Sequence, residues 1–351
     1  MSKVMRPYMV ASVVVLTIGL AGLLVRMASP SQQDLLITVL LFAYWATAWN
    51  ILGGMAGQLC FGNAIFIGTG AYTSSILFIY FGITPWFGML VGAVLATLVG
   101  LFIGYLCFRY GLRDVYFSLT TLALGEVMYL VFANTSYHGM FGGQGGVRFP
   151  IREPSYLVYM FPSKVGYYYV IAVLLAFSIW LTWWMRRSKI GYYLIAIREN
   201  ERSAQAAGVG ITRYKLIAAG LNAFLSALGG TFFAQYYLFI DPPSVIASNL
   251  SIAVLLPAIV GGFDTILGPL VGSIILMPIS EQVRNLLSGG LAGSHLVVYG
   301  LVIILVMRFI PQGVVGWVKE QGWFADKQLT PAVPHVEPEK GGDVGSADLR
   351  G

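Results

Sequence analysis

The sequence predicts an all-α polytopic membrane protein: about ten transmembrane helices, interrupted by Gly-rich broken or re-entrant elements. Three observations carry this. Apolar residues make up 57% of the 351 and charged ones only 10%, against roughly 45–50% and 25% in an average soluble domain. Such a chain would expose large apolar patches if it folded in water. The 42 glycines are the second observation, because small residues let membrane helices approach backbone to backbone. Third, the apolar residues come in continuous runs and not in alternation, which disfavours a β-barrel.

Met1 to Pro7 carries Lys3 and Arg6, and Tyr8 to Val25 adds eighteen uncharged residues. A secretory signal has a shorter apolar core and a small-residue cleavage site, so a retained first span is expected. From Leu35 to Phe108 no residue is charged. At roughly 20 residues per crossing, this run holds three passes, near 35–52, 64–80 and 86–108. Between the first two lies GGMAGQLCFGN, Gly53 to Asn63, with four glycines, Gln58 and Asn63. One reading is an ordinary connecting loop. The other is a broken element beside a translocation path, since non-helical backbone at membrane depth survives only inside protein or along a cavity.

The span over 86–108 has Gly88, Gly92, Ala96, Gly100 and Gly104 at every fourth position. Each step of four drifts only about 40° around a helix, so these residues form one slanted groove for another helix. That groove is a packing device and identifies no ligand. Arg109, Arg113 and Asp114 mark a turn before the next span, Val115 to Ala133, whose one ionisable residue is Glu126. A charge at mid-span costs on the order of 2.5–3.5 kcal/mol, which leaves Glu126 either a structural hydrogen bond or a place along the pathway. Asn134 to Val165, rich in Gly, Pro and aromatic residues, is expected as a loop on the outer face.

Gly166 to Met185 crosses back and lands on the one charge-dense island of the chain, Arg186 to Lys215. It holds seven basic residues and two acids, 7 − 2 = +5 of the formal +6. Leu216 to Ile240 crosses again and stops at Asp241-Pro242-Pro243. Passes over 246–260 and 266–281, joined by GGFDT, and a last one over 294–307 complete the count. Residues 1–310 thus form the transmembrane domain, and 311–351 a tail expected to be disordered from about 326. Ten passes put both termini, the island, Arg109 and Arg113 on one side, as the positive-inside rule requires.

The chain shows no catalytic or metal chemistry. There is no Walker A pattern, Gly-x-Ser-x-Gly or His-Glu-x-x-His. The run Gly68-Thr69-Gly70-Ala71-Tyr72-Thr73 lacks the third glycine of a dinucleotide fingerprint. His138, His295 and His335 are far apart, and Cys60 and Cys107 sit in uncharged stretches as packing residues. No enzyme, cofactor, metal or nucleic-acid partner is expected; the positive charge belongs beside membrane lipid.

Within the island, Asn200 to Ala207 carries good helix formers, Glu199 and Glu201 suit its N-terminal end, and Gly208 suits the position just past its C-terminus. Ser203, Ala204, Ala206 and Ala207 are small enough for close docking in a partner's groove, and Arg198 and Arg202 flank them for acidic groups. The alternative is a solvated loop with no partner. The outer basic residues Arg186, Arg187, Lys189, Arg213 and Lys215 read as topology anchors.

Three stretches together resemble the permease subunits of ATP-binding-cassette importers for branched-chain amino acids, in particular the LivM type. They are GGMAGQLCFGNAIFIGTGAYTSSIL at 53–77, IRENERSAQAAGVGITRYKLIAAGLNAFLSALGG at 197–230, and LLPAIVGGFDTILGPLVGSII at 255–275. The resemblance implies a bacterial cytoplasmic-membrane protein paired with a second, similar permease. Two cytoplasmic ATPase subunits would drive it, and an external substrate-binding protein would deliver cargo. It also implies that Arg198, Glu199, Asn200, Glu201, Arg202, Ala204, Ala206, Ala207 and Gly208 couple the spans to the ATPases. Asn50, Gln58, Asn63 and Glu126, polar groups at apolar depth, are expected to border the cargo path. Cys60-Phe61 and GGQGG at 142–146 depart from the family pattern and leave the exact cargo open. The competing class is an ion-coupled secondary transporter or channel that needs no ATPase; such proteins pair intramembrane carboxylates, and here Glu126 has no charged partner close in sequence.

Overall fold

A computed structural model describes residues 29–135, 142–150, 155–263, 265–286 and 313–320, with single positions at 26, 300 and 308. The expected spans over 8–25 and 294–307, and the tail from 326, lie outside the described residues. Within them, seven helices are long and apolar enough to cross a membrane. The chain is a multi-pass helical membrane protein.

The charge-free run gives three of the seven. Helix α1 (Pro30–Asn50) opens on a capping box, Ser29 with Gln32, and a proline in its first turn. A π-helical turn, Ile51–Met55, follows it. Helix α2 (Asn63–Phe81) ends on Gly82 in the left-handed region, where no side chain is crowded. Helix α3 (Pro85–Arg109) again starts on a proline. Helix α4 (Asp114–Asn134) is the least covered of the set, with 22% of its apolar window buried, against 72% for the most covered.

Helix α5 (Lys164–Arg187) descends to the island, which folds as α6 (Lys189–Glu199) and the short α7 (Glu201–Ala206). Helix α8 (Ile211–Tyr237) is the central element, then α9 (Pro242–Val245) and α10 (Ser248–Gly261) complete one crossing. The pass expected over 266–281 is helical as α11 (Gly268–Leu286), but its end carries Glu281 and Arg284, and it is not among the seven. Helix α12 (Gly313–Glu320) packs on α10 and α11.

The core is a seam of α2, α3 and α8 held by small residues. A side-chain carbon added at Gly70 would lie 2.2 Å from the Ala227 carbonyl oxygen, and one at Gly230 2.0 Å from that of Ile67. The expected groove on α3 is there, and its drift makes it serve two neighbours in turn. Gly88 and Gly92 abut Ser74 and Gly70 of α2, while Gly100 and Gly104 abut Ala223 and Leu216 of α8. Tyr44 donates to the Leu225 carbonyl at 2.8 Å, and Trp45 to that of Ser226 at 3.2 Å, which sets α1 against the same seam.

Contacts sort the helix ends into two faces. At one face Lys164 and Tyr236 both bond the Asp34 carboxylate. There β1 (Val147–Arg148) also pairs antiparallel with β2 (Phe239–Ile240), and Trp86 donates to the Tyr156 carbonyl at 2.9 Å. Tyr159 is fully buried at this face beside Trp86, Phe161 and Tyr167, and burial pushes its phenol well above the ordinary range. The opposite face gathers Arg109, Arg113 and the island, and is called the basic face below.

Candidate functional site

The second Gly-rich segment, between α10 and α11, lies at the basic face against the first. A side-chain carbon at Gly54 would sit 2.1 Å from the Phe263 carbonyl oxygen, and Asn50 Nδ2 donates to the Thr265 carbonyl at 2.9 Å. The turn itself is as tight: Gly262 has φ +109°, and a side-chain carbon at Gly261 would meet the Gly268 oxygen at 1.7 Å. Only glycine lets these backbones approach so closely. Both breaks are therefore parts of one structure.

The first break is not a surface loop. Ala56, Gln58 and Cys60 are buried, and surrounding helices supply the partners that its backbone needs. Trp49 Nε1 donates to the Cys60 carbonyl at 2.9 Å, and Ser118 Oγ to that of Leu59 at 2.8 Å. Thr121 Oγ1 accepts from the Phe61 amide at 3.2 Å, and Ser251 Oγ from that of Ala64 at 2.8 Å. The Gly54 carbonyl, in the π turn, accepts from Arg198 Nη1 at 2.8 Å. Gly57, at φ +68°, leaves room for the Arg198 side chain, whose Cγ would lie 2.7 Å from any added carbon.

Arg198 thus ties the island to the break. Its other edge holds Glu199 Oε1, with Nη2 at 2.9 Å and Nε at 3.3 Å. Asn200 caps α7 by accepting from the Ser203 amide at 3.0 Å. Glu201, next along, pairs with Arg113 Nε at 2.8 Å and with Lys215. Lys215 is 2% exposed, and its ammonium also lies 5.4 Å from the Phe108 ring. Here the structure adds to the sequence reading: Lys215, read as a topology anchor, is also a buried ionic partner of Glu201 at the start of α7. The reason is the turn between α7 and α8, which brings the first turn of α8 under α7.

The opposite side of α7 is open. Arg202, Ser203, Ala206 and Ala207 are exposed, Ala204 is buried, and Gly208 stands at φ +83° with nothing near it. The island therefore has an inner side, Arg198 and Glu201, and an outer side of small residues with one arginine.

The four expected path residues separate. Asn50 and Gln58 are 2% and 4% exposed, and each keeps a buried side-chain oxygen with no hydrogen-bond partner among the described residues. Asn63 instead joins a closed lock. It accepts from Asn222 Nδ2 at 2.9 Å and donates to Ser226 Oγ at 3.2 Å, which donates in turn to Asn222 Oδ1 at 3.2 Å. Glu126 lies partly buried on α4, beside Gly125, where an added side-chain carbon would lie 3.7 Å from Gly62 Cα of the break, and has no hydrogen bond or ion pair among the described residues. Asn222, Ser226, Ser118, Thr121 and Ser251 were not foreseen, and Asn222 is the one that sequence offered, as an amide inside an apolar span. A cavity of about 480 Å³ opens between break and island, lined by Gly53, Gly57, Leu59, Arg198, Glu199 and Phe263.

A polytopic bundle whose crossings are interrupted by buried, protein-satisfied backbone, with a capped short helix tied to that interruption, has the build of a membrane permease. Comparison with known proteins gives the family. Residues 32–307 match the family described as the permease component of the branched-chain amino acid transport system, and the chain belongs to it. It is 25% identical over 318 residues to the high-affinity branched-chain amino acid transport system permease protein LivM of Escherichia coli K12, covering 84% of this chain and 72% of that one. It is 24% identical to the LivM protein of Salmonella typhimurium over the same shares. The probable branched-chain amino acid transport permease protein LivH of Methanocaldococcus jannaschii is 25% identical over 262 residues, 71% of this chain and 81% of that one. No solved structure matches.

Proposed function

We propose that the chain is a permease subunit of an ATP-binding-cassette importer in the bacterial cytoplasmic membrane. It moves branched-chain amino acids, or a related small polar solute, with a second homologous permease. Two cytoplasmic ATPase subunits supply the energy and an external binding protein the cargo. Hydrolysis belongs to those partners. One observation carries the reading: the segment 198–208 holds the interrupted span on its inner side and leaves Arg202, Ala206 and Ala207 open on its outer side.

In this reading α7 is a rigid knob seated in an ATPase groove. Arg198, Glu199, Asn200 and Glu201 fasten the knob to the spans; Arg202, Ala204, Ala206, Ala207 and Gly208 shape it. Closure of the ATPases then moves attached helices as bodies. Asn50 and Gln58 border the cargo route, where their orphan oxygens accept hydrogen bonds from an ammonium or from water. Glu126 borders it on α4, and Asn63 fixes its wall. Ten crossings, the seven together with Gly268–Leu286 and those over 8–25 and 294–307, put both termini at the basic, cytoplasmic face.

The test is co-purification. Ala206→Trp and Ala207→Glu are expected to strip the ATPase subunits from the detergent-solubilised chain and abolish leucine uptake, with the chain still monodisperse. Retained ATPases with full uptake would sink the reading. Uptake by the chain alone under an ion gradient, without ATP, would establish the competing ion-coupled class.

A further inference from the structure

We propose that Arg198 is a positioning residue for transport: it latches the π turn of the first break to the coupling segment, so that movement of the segment is passed to the break. This rests on the coupling reading above and gives it an inward-acting residue. From sequence, Arg198 pointed to acidic groups on an ATPase; in the structure its side chain is 20% exposed and donates to the Gly54 carbonyl.

Four features support a latch over a static brace. The turn Ile51–Met55 is π-helical, a geometry less favourable than the α-helix that precedes it, and thus one that a change of partner can convert. Gly53 and Gly54 inside the turn present no side chains of their own to hinder that change. The second edge of the guanidinium is held by Glu199, which is 69% exposed and within reach of a partner's cation. The cavity of about 480 Å³ borders Gly53, Gly57 and Arg198, so the freed side chain has somewhere to go.

The segment is also anchored on its other flank. Glu201 binds Arg113 and Lys215, at the starts of α4 and α8, so the capped turn at Asn200 stands between two attachments. A push on α7 therefore loads the Arg198–Gly54 bond against a fixed charge cluster. When the bond parts, the Gly54 carbonyl needs another donor, and the turn rearranges with the backbone from Met55 to Gly62 behind it.

Two native thiols read this out. Cys60 lies in the break, 2% exposed, and Cys107 in the regular helix α3, 1% exposed. The full chain, assembled with its partners in membranes without nucleotide, is treated with a membrane-permeant maleimide, and each thiol is followed by mass spectrometry. Arg198→Ala is expected to speed Cys60 modification about tenfold, the scale of one lost charged hydrogen bond, with Cys107 unchanged. Leucine moved per ATP hydrolysed falls in parallel. Arg198→Lys, which keeps the charge and one donating nitrogen in place of the guanidinium fork, lies between on both measures. Equal Cys60 rates in wild type and both variants overturn the latch. So does parallel opening of Cys107 in both variants, because Arg198 then holds the fold at large. Failure of the coupling reading is distinct: the wild-type chain would retain no ATPase, whatever its thiols do.

Discussion

The seam of α2, α3 and α8 and the node where the two breaks meet the island are both rich in glycine, yet what the glycines bring together differs. In the seam, glycine brings regular helices into backbone contact, as at Gly70 against Ala227 and Gly230 against Ile67. Its fit depends on distance alone. At the node, glycine brings non-helical backbones together, as at Gly54 against Phe263, and directional partners such as Ser118, Thr121, Ser251 and Arg198 bond the first of them. Close packing is lost when helices shift by an ångström, whereas hydrogen bonds can be exchanged. Under the proposed coupling, the seam is expected to act as the rigid body and the node as the adjustable joint.

The largest effect that tests this contrast is expected in the seam. Gly230→Val puts a branched side chain onto the Ile67 carbonyl and costs about 3 kcal/mol or more, read as loss of monodisperse chain in detergent. Survival of that variant with normal activity would break the comparison at its rigid side. Next comes Glu201→Gln, which leaves the buried Lys215 ammonium without its carboxylate and costs about 3 kcal/mol, seen as a lower thermal midpoint. Adding Lys215→Met to it should recover part of that loss, because the uncompensated charge then goes too.

Thr121→Val removes the acceptor of the Phe61 amide and costs about 1–3 kcal/mol; amide exchange at Phe61 is expected to rise before global unfolding does. A uniform rise across α2 would say that break and seam move as one body. The smallest effect belongs to Gly92→Ala, whose new carbon lies 3.1 Å from the Gly70 oxygen, a shift that neighbours absorb for about 1 kcal/mol, against the total block at Gly230. Its thermal midpoint reports the slack in the seam.

Much of this was legible in sequence, for local reasons. The charge-free run resolved into α1, α2 and α3 because span length is fixed by bilayer thickness. The short helix expected over 200–207 followed from its helix formers, though Asn200 and Ala207 prove to be its caps and Glu199 ends α6, and Gly208 takes the left-handed φ that its position needs. Partners distant along the chain were not legible. Arg198 and Gly54 are 144 residues apart, and nothing near either names the other. The hydroxyls that hold the break were hidden by ambiguity. Thr47, Thr69, Thr97 and Thr182 bond carbonyls four residues back in their own helices, as any threonine in a span can. Thr121 looks the same in sequence and also bonds back, to the Ser118 carbonyl, yet its oxygen accepts from the Phe61 amide as well. Asn63 shows what an amide at apolar depth leaves unsaid: its place in the span was legible, and its bonds to Asn222 and Ser226, 159 and 163 residues away, were not.

Lys215 has a history as well as a place. In the proposed topology it is, during insertion, one more positive charge at the start of α8, and it counts toward keeping that end on the cytoplasmic side. Once α7 has turned back and Glu201 has reached it, the same ammonium is enclosed and paired. In that topology the orienting charge acts before the island folds, and the folded island then conceals it. A substitution at Lys215 is therefore expected to act twice, first on which way α8 enters the membrane and later on how firmly α7 is seated.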